Sequence, residues 1–259
     1  MAITTKVNRI IRAITGKKHT TAILLAGGIG TRMANEQGET KQLMLLKGKP
    51  VIAHTVRAFD DCADIDDIVV VARADEIERV RLILKQEKIH KLRAIVKGGE
   101  TRQESAKNGF DSLGEETDFV AIHDVARCMV TPAMISSVVS VAYDMRAASA
   151  ATRATDTVKV AGGDGIVCET PDRERLWLAQ TPQVFDADLY RAAIYMAEKD
   201  GFRATDDNSM VEHIGHRVKL VDCGPDNFKI TTKADLIMAE VILRMQERET
   251  ANKKKGGAS

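Results

Sequence analysis

Short apolar runs alternate with amphipathic patterns along most of this chain, and this alternation constrains its fold more than any other feature. The apolar runs predict strands at Ala22–Ala26, Ile68–Ala72, Leu92–Val96 and Phe119–Ile122. The amphipathic patterns predict helices at Val51–Phe59, Asp75–Gln86, Thr101–Ser112 and Pro132–Tyr143. Strands that alternate with helices form a mostly parallel sheet covered on both faces. The predicted fold class is therefore α/β, with a Rossmann-like sheet flanked by helices.

The alternation is interrupted between about residues 151 and 180. Two β-rich runs, 155–160 and 166–169, flank a glycine turn there and predict a hairpin arm that projects from the domain. The pattern then resumes with a helix near Asp186–Lys199, a strand near Val218–Val221 and a helix from Lys233 to about Met245. We therefore divide the chain into a basic N-terminal extension (1–20), one domain with its arm (21–247) and a disordered tail (248–259).

The composition is typical of a soluble globular protein and argues against several kinds of partner. Hydrophobic residues make up 44% of the 259 residues, and the net charge of +1 gives no overall attraction to nucleic acid or a membrane. No apolar run reaches the roughly 18 residues of a membrane helix. The four cysteines form no C-x-x-C pair, so we expect free thiols in a reducing cytoplasm. The basic residues of 1–20 fit either a membrane-surface or targeting helix or a short helix against the domain, and we favour the second.

The first predicted strand runs directly into a glycine-rich turn, Ala26–Gly30, with Arg32 and Lys41 beyond it. Glycine lets backbone N–H groups approach an anion, and two cations beside such a turn suit a polyphosphate. The turn therefore predicts a nucleoside triphosphate site. The P-loop pattern fails at Pro50, where a hydroxyl is needed, and the dinucleotide fingerprint fails at Met33, where a small residue is needed. A plain strand-to-helix turn is the alternative.

Further polar residues follow other predicted strands, and parallel strands bring their carboxyl ends to one edge of a sheet. Asp124 is placed to bind Mg²⁺ beside a phosphate, or else to cap a turn. We interpret His123 as a scaffold residue. The turn at Gly98–Ser105 either presents N–H groups to a base or caps the next helix through Thr101, and both can hold together. Lys229 is either a phosphate cation or an exposed strand residue.

Seven short blocks, taken in order, resemble the 2-C-methyl-D-erythritol 4-phosphate cytidylyltransferase family. They are Leu25–Met33 with Lys41-Gln42, Gly98-Gly99-x-x-Arg102-x-x-Ser105, His123-Asp124-x-Ala126-Arg127, Asp156–Lys159, Thr181-Pro182-Gln183-x-Phe185, Thr205-Asp206 and Asn227-x-Lys229-Ile230-Thr231. The resemblance runs from about Thr21 to Arg244 and implies transfer of a cytidylyl group from CTP to a sugar phosphate, in non-mevalonate isoprenoid biosynthesis. Three alternatives stay open: a ribitol 5-phosphate cytidylyltransferase, a nucleotide-binding homologue without turnover and, most remotely, a nicotinamide oxidoreductase.

The resemblance also implies a role for each matching residue. The catalytic residues that hold the CTP phosphates would be Arg32, Lys41 and Lys229. The nucleotide would contact Ala26, Gly27, Gly28, Gly30, Gly99 and Ser105. The sugar-phosphate site would comprise Asp124, Arg127, Thr157, Arg173, Thr181 and Thr205, with Asp124 also holding Mg²⁺ or another divalent cation. In the family the arm crosses to a partner subunit, so a homodimer is implied, with Arg173 delivered to the partner's site.

Two positions depart from the family pattern. The family usually has proline before the catalytic lysine, where this chain has Thr40, and after the His-Asp block, where this chain has Cys128. Proline fixes φ near −65°. Its loss is expected to loosen the loop of Lys41 and the turn after Arg127, and so to change affinity more than to abolish activity.

Overall fold

The computed structural model describes residues 16–27 and 40–256, with side chains to Met245. The strands in these ranges are β1 (Thr20–Leu25), β2 (Leu45–Leu46), β3 (Lys49–Pro50), β4 (Asp67–Ala72), β5 (Leu92–Lys97), β6 (Phe119–Asp124), β7 (Ala147–Arg153), β8 (Val160–Ala161), β9 (Val167–Glu169), β10 (Trp177–Asp186) and β11 (Lys219–Asp222). The α-helices are α1 (Val51–Asp60), α2 (Ile77–Gln86), α3 (Arg102–Asp111), α4 (Pro132–Met145), α5 (Ala187–Asp200), α6 (Asp207–His213) and α7 (Lys233–Gly256), and a 3₁₀ turn spans Arg173–Arg175.

Within the described ranges, seven of the strands form one sheet in the order β11-β7-β10-β6-β1-β4-β5. Strand β10 runs antiparallel to both of its neighbours, and every other pairing in the sheet is parallel. The predicted fold class is confirmed. The predicted strands and helices of the first half of the chain are present within one or two residues of their expected bounds.

The interior strand β1 shows why the apolar pattern of the sequence predicted the sheet. Its residues are buried on both faces, which is typical of parallel strands covered by helices. Ala22 and Leu24 belong to the hydrophobic cluster shared with α1 and α4, whereas Ile23 and Leu25 belong to the cluster shared with α3 and α5. A strand of this kind reads as a continuous apolar run, and the two clusters form the two halves of the core.

The predicted starts of two helices are confirmed, and a threonine caps each of them. Thr131 caps α4, because its side chain accepts a hydrogen bond from the backbone N–H of Met134 at 3.2 Å and Pro132 occupies the first helical position. Thr101 caps α3 in a capping box with Glu104. These caps fix the directions in which the chain leaves the sheet edge.

The arm is present but is shorter than residues 151–180. Strands β8 and β9 pair antiparallel as a separate two-stranded sheet. Residues 151–153 belong to β7 and residues 177–180 belong to β10, where Trp177 lies opposite Arg153 in the main sheet. The Arg153 guanidinium stacks over the Trp177 ring at 4.4 Å, a cation–π contact that closes the base of the arm.

Both chain ends differ from the predicted domain bounds. The first strand begins at Thr20 and His19 is already buried, so the domain starts before residue 21. Most of the extension, residues 1–15, lies outside the described residues. The last helix continues past Met245 to Gly256, where disorder was predicted from residue 248. The sequence there is rich in Glu, Arg, Ala and Lys, which favour helix, and its basic end suits the helix dipole.

Two expectations about composition can be compared with the structure. The four cysteines are free thiols; Cys168 is exposed and the others are buried. Across residues 16–27 and 40–256, no helix is both long enough and apolar enough to cross a membrane.

Candidate active site

A cavity of about 220 Å³ opens where β1 and β6 end and α3 begins. Six of the predicted site residues line it: Gly27, Lys41, Gly99, Ser105, Asp124 and Lys229. They come from four separate blocks of the sequence, which the parallel sheet brings to one edge. These six residues contribute two lysines, the Asp124 carboxylate and the backbone of two glycine turns, and Glu100 and Arg102 line the same cavity.

Asp124 lies at the end of β6 and is the electrostatic centre of the cavity. Its Oδ1 accepts a hydrogen bond from Nε of Arg102 at 3.0 Å, and its Oδ2 accepts one from Nζ of Lys229 at 2.7 Å. Burial alone would raise the pKa of the Asp124 carboxyl, but the two cations outweigh burial and hold the pKa well below its usual range. Asp124 is therefore an ionised carboxylate at neutral pH.

Arg102 connects Asp124 to a second, deeper carboxylate. Its Nη1 donates to Oδ2 of Asp207 at 2.7 Å, and the hydroxyl of Tyr190 donates to Oδ1 of the same carboxylate at 2.6 Å. Asp207 is fully buried. Burial acts to lower the pKa of Arg102, but Asp207 and Asp124 raise it above its ordinary value. Arg102 is partly exposed, lines the cavity and bridges the two carboxylates.

The role of Arg102 was not predicted, although the residue was part of a matching block. One signal was available in the sequence: the arginine stands at the first position of a helix, where the helix dipole disfavours a cation. Asp207 had no comparable signal, since it lies 105 residues away from Arg102 along the chain.

The glycine turn before α3 is built by close contacts. A Cβ on Gly99 would lie 2.3 Å from Cβ of Glu104, so only glycine fits there. The Ser105 hydroxyl accepts from the N–H of Gly99 at 3.1 Å and donates to the carbonyl of Thr101 at 2.9 Å. The capping box and the cavity-facing turn thus coexist, as the sequence allowed. The Ser105 hydroxyl shapes this turn within the protein.

Several other predicted site residues lie away from the cavity lining. Ala26 donates its N–H to the carbonyl of Val71, and its own carbonyl accepts from Nε2 of Gln42. Arg127 donates to the carbonyls of Asn227 and Ala179. Thr157 and Arg173 are exposed on the arm, Thr181 is buried and Thr205 is exposed. Gly28, Gly30 and Arg32 lie outside the described residues.

Thr181 and His123 form a scaffold beneath Asp124. His123 Nε2 donates to the carbonyl of Arg127 at 3.3 Å, which leaves Nδ1 to accept from the Thr181 hydroxyl at 3.0 Å. The same hydroxyl oxygen accepts the backbone N–H of Asp124 at 3.1 Å. Burial lowers the pKa of His123 to about 3, so the ring is neutral at pH 7. The interpretation of His123 as a scaffold residue agrees with this geometry.

This buried histidine predicts a pH dependence of stability. Between the ordinary pKa of 6.5 and the folded value of about 3, the unfolded chain binds a proton that the folded chain does not. The free energy of unfolding should therefore fall as the pH drops below 6.5, by up to about 1.4 kcal/mol per pH unit from this group. Urea denaturation at a series of pH values, in the presence of a chelator, measures how the free energy of unfolding changes with pH. His123→Gln should show a smaller pH slope than the wild type, and equal slopes would contradict the prediction.

Cys128 stands where the family usually has its second proline, and its thiol is buried. Cys128 is 3% exposed, and burial raises the pKa of its thiol to about 12, so it stays protonated. The turn around it is held by backbone hydrogen bonds from Arg127 N–H to the Asp124 carbonyl at 2.9 Å and from Ile230 N–H to the Ala126 carbonyl at 2.8 Å. These bonds restrain the turn in the absence of a proline ring.

A mostly parallel sheet with a cation-lined cavity at its carboxyl edge is the arrangement of a nucleotidyltransferase. Comparison with known sequences makes the assignment specific. A profile of the 2-C-methyl-D-erythritol 4-phosphate cytidylyltransferase family matches residues 20–245, and the chain belongs to this family. The resemblance drawn from the seven blocks is thereby confirmed.

Individual relatives agree over nearly the whole chain. A 2-C-methyl-D-erythritol 4-phosphate cytidylyltransferase of Caldanaerobacter subterraneus subsp. tengcongensis is 41% identical over 224 residues, which cover 86% of this chain and 98% of the relative. One from Desulforamulus reducens is 42% identical over 224 residues, covering 86% and 95%. The crystal structure of a 4-diphosphocytidyl-2C-methyl-D-erythritol synthase from Anaerococcus prevotii has a TM-score of 0.80 at 29% identity, covering 90% of this chain and 99% of that chain.

Proposed function

We propose that the protein joins CTP and 2-C-methyl-D-erythritol 4-phosphate to give 4-diphosphocytidyl-2-C-methyl-D-erythritol and pyrophosphate, a step of non-mevalonate isoprenoid biosynthesis. The observation that carries the proposal is the convergence of Lys41, Lys229 and Asp124 on one cavity beside the Gly27 and Gly99 turns. Two cations and exposed glycine backbone suit a triphosphate, and family membership supplies the substrate class.

The reaction needs no general base. A phosphate monoester has a second pKa of about 6, so the sugar phosphate is largely a dianion at pH 7. One of its oxygens attacks the α-phosphorus of CTP and forms the new P–O bond. The bond from the α-phosphorus to the oxygen that bridges to the β-phosphorus breaks, and its electrons leave with pyrophosphate. No proton has to move, which is compatible with the neutral, buried state of His123 next to Asp124.

The protein's contribution is therefore position and charge. Lys41 and Lys229 hold the phosphates and offset the charge that develops on the leaving pyrophosphate, with Arg32 proposed for the same task. Arg102 also lines the cavity and holds Asp124 in place through a hydrogen bond. The backbone near Gly27 and Gly99 faces the space proposed for the cytosine base.

A divalent cation fits Asp124 only if the substrate supplies most of its ligands. Among the described residues, no group of three or more His, Cys, Asp and Glu side chains could hold a metal ion. The ionised Asp124 carboxylate suits Mg²⁺, which typically takes one or two carboxylates and fills its other positions with phosphate oxygens and water. When bound, Mg²⁺ or another divalent cation would neutralise phosphate charge. Asp124 is the residue proposed to hold it.

The sugar-phosphate site and the subunit arrangement are proposed from the family pattern. Arg127, Thr157, Arg173, Thr181 and Thr205 are retained as its candidate residues. The arm exposes apolar side chains, with Ile166 67% and Val167 53% accessible, and such a surface suits a protein partner. We propose a homodimer through the arm. Four free thiols support a reducing cytoplasm as its location.

The test is pyrophosphate release from CTP and Mg²⁺, with 2-C-methyl-D-erythritol 4-phosphate in one reaction and ribitol 5-phosphate in another. Release in the first alone is expected. Release in the second alone would move the protein to polyol-phosphate metabolism and overturn the substrate assignment. Binding of CTP without release in either reaction would identify a homologue that has lost turnover.

A further inference from the structure

A buried carboxylate that belongs to none of the matching blocks lies next to the loop of Lys41. Glu76 follows β4, directly precedes α2 and is 8% exposed. Its Oε1 accepts a hydrogen bond from the Thr40 hydroxyl, and its Oε2 accepts one from Nε2 of Gln42 at 3.2 Å. One carboxylate therefore receives hydrogen bonds from the residues on both sides of Lys41.

Each member of this arrangement is itself fixed. Thr40 is 7% exposed and Gln42 is 2% exposed, and Nε2 of Gln42 also donates to the carbonyl of Ala26 at the end of β1. The backbone of Glu76 is held by the hydrogen bond from Val80 N–H to its carbonyl at 2.9 Å. A helix start and a central strand thus both support the short segment that carries the lysine.

The backbone of the lysine loop forms a tight turn. Leu43 N–H donates to the carbonyl of Thr40 at 3.0 Å, and Met44 N–H donates to the carbonyl of Lys41 at 3.4 Å. The carbonyl of Gln42 accepts from Ile52 N–H at 3.0 Å, which ties the turn to α1. Lys41 itself is only partly buried and lines the cavity. These hydrogen bonds anchor the turn to α1, while the lysine lies at the cavity.

We propose that Glu76 is a positioning residue for Lys41, acting through Thr40 and Gln42. Hydrogen bonds to an ionised acceptor are roughly twice as strong as neutral ones, so the carboxylate is suited to hold this turn. The Thr40 hydroxyl supplies a donor that a proline at this position would lack. In this chain the hydrogen bond between the Thr40 and Glu76 side chains thus restrains the segment before Lys41, as a proline ring would restrain its backbone. The inference rests on the proposed function, because it assigns Lys41 to the reaction.

The kinetic test compares Glu76→Ala with Glu76→Gln and with Asp75→Asn. Glu76→Ala should lower kcat by on the order of 10- to 10²-fold, since small misplacement of a catalytic group is costly, while the KM for the sugar phosphate changes by less than about threefold. Glu76→Gln should recover part of the loss. Asp75 is the matched control, because it is exposed and its carboxylate accepts hydrogen bonds from Arg73.

The Thr40 link is tested by an isosteric pair. Thr40→Val removes the hydroxyl and should lower kcat, whereas Thr40→Ser keeps a hydroxyl and should retain most of it. Glu76→Ala should cost less in the Thr40→Val background than in the wild type, because the two residues share one hydrogen bond. Equal effects in both backgrounds, or wild-type kcat in Glu76→Ala, would overturn the proposal. Circular dichroism must show each variant folded at the assay temperature.

A measurement without turnover separates this proposal from the proposed function. Amide hydrogen exchange at Leu43 and Met44 should be at least about tenfold faster in Glu76→Ala and Thr40→Val than in the wild type, and unchanged in Asp75→Asn. If the wild type releases no pyrophosphate but shows this exchange pattern, the proposed reaction fails and the link between Glu76 and the lysine loop stands. Unchanged exchange in Glu76→Ala overturns the link itself.

Discussion

Replacing Lys41 by alanine is expected to lower kcat by roughly 10²- to 10³-fold, which is the usual cost of one group that stabilises developing charge. The lysine lines the cavity beside Asp124 and Lys229. In the proposed reaction, charge grows on the α-phosphate and on the leaving pyrophosphate as the bond breaks. An interaction that strengthens only in the transition state affects kcat, whereas the KM for the sugar phosphate should change far less.

Two variants make this result interpretable. Lys41→Arg keeps the charge but not the shape and should recover only part of the rate. Lys49→Ala removes an exposed lysine that pairs with Glu87 outside the cavity, and its kcat should stay within about twofold of the wild type. Steady-state kinetics of pyrophosphate release measures all three. Near-normal turnover by Lys41→Ala would remove the lysine from the mechanism.

Replacing Arg102 by methionine is expected to destabilise the fold by about 3–5 kcal/mol. The change leaves the Asp207 carboxylate fully buried without its cation, held only by neutral donors such as the Tyr190 hydroxyl. An unpaired buried charge is much more costly than a missing surface ion pair. Asp124 loses one of its two cations in the same variant, so turnover should fall as well.

The double variant Arg102→Met/Asp207→Asn should regain a large part of the lost stability, because no charge is left unpaired at the buried position. Tyr190 can still donate to the amide oxygen of an asparagine. Urea denaturation of the wild type, the two single variants and the double variant gives the coupling free energy between Arg102 and Asp207. If the double variant is as unstable as the sum of the single variants, the ion pair does not explain the role of Arg102.

The sequence predicted the elements whose apolar residues form a clear pattern, such as the continuous apolar run of β4 and the amphipathic repeat of α2. Strand β10 was not predicted as a strand, since its centre is the polar run Gln180–Gln183, where the pairing with β7 is interrupted by a register shift between Ala179 and Gln183. Strand β7 is largely alanine, a residue with weak strand preference. In these two strands the tertiary context decides the structure.

In the candidate site, too, local sequence patterns predicted some residues and tertiary contacts decided the others. Lys41 and Asp124 could be placed together from a glycine turn and a strand end, whereas Lys229 was assigned to the site by the family resemblance, and all three line the cavity. The partners Asp207 and Glu76 could not, because their hydrogen bonds span 105 and 36 residues and have no local pattern. Motif residues such as Thr181 have scaffold contacts in the structure that a residue-by-residue comparison does not reveal.

The continuity of β10 limits how this protein can be re-engineered. The strand starts at Trp177 at the base of the arm, passes Thr181 beneath the cavity and ends at Asp186, whose side chain caps α5. A graft or truncation confined to residues 154–176 leaves the pairing of Arg153 with Trp177 intact. Deleting one residue within β10 would shift its register and turn each later side chain to the opposite face of the sheet. A designer can therefore exchange the arm only up to the pair of Arg153 and Trp177.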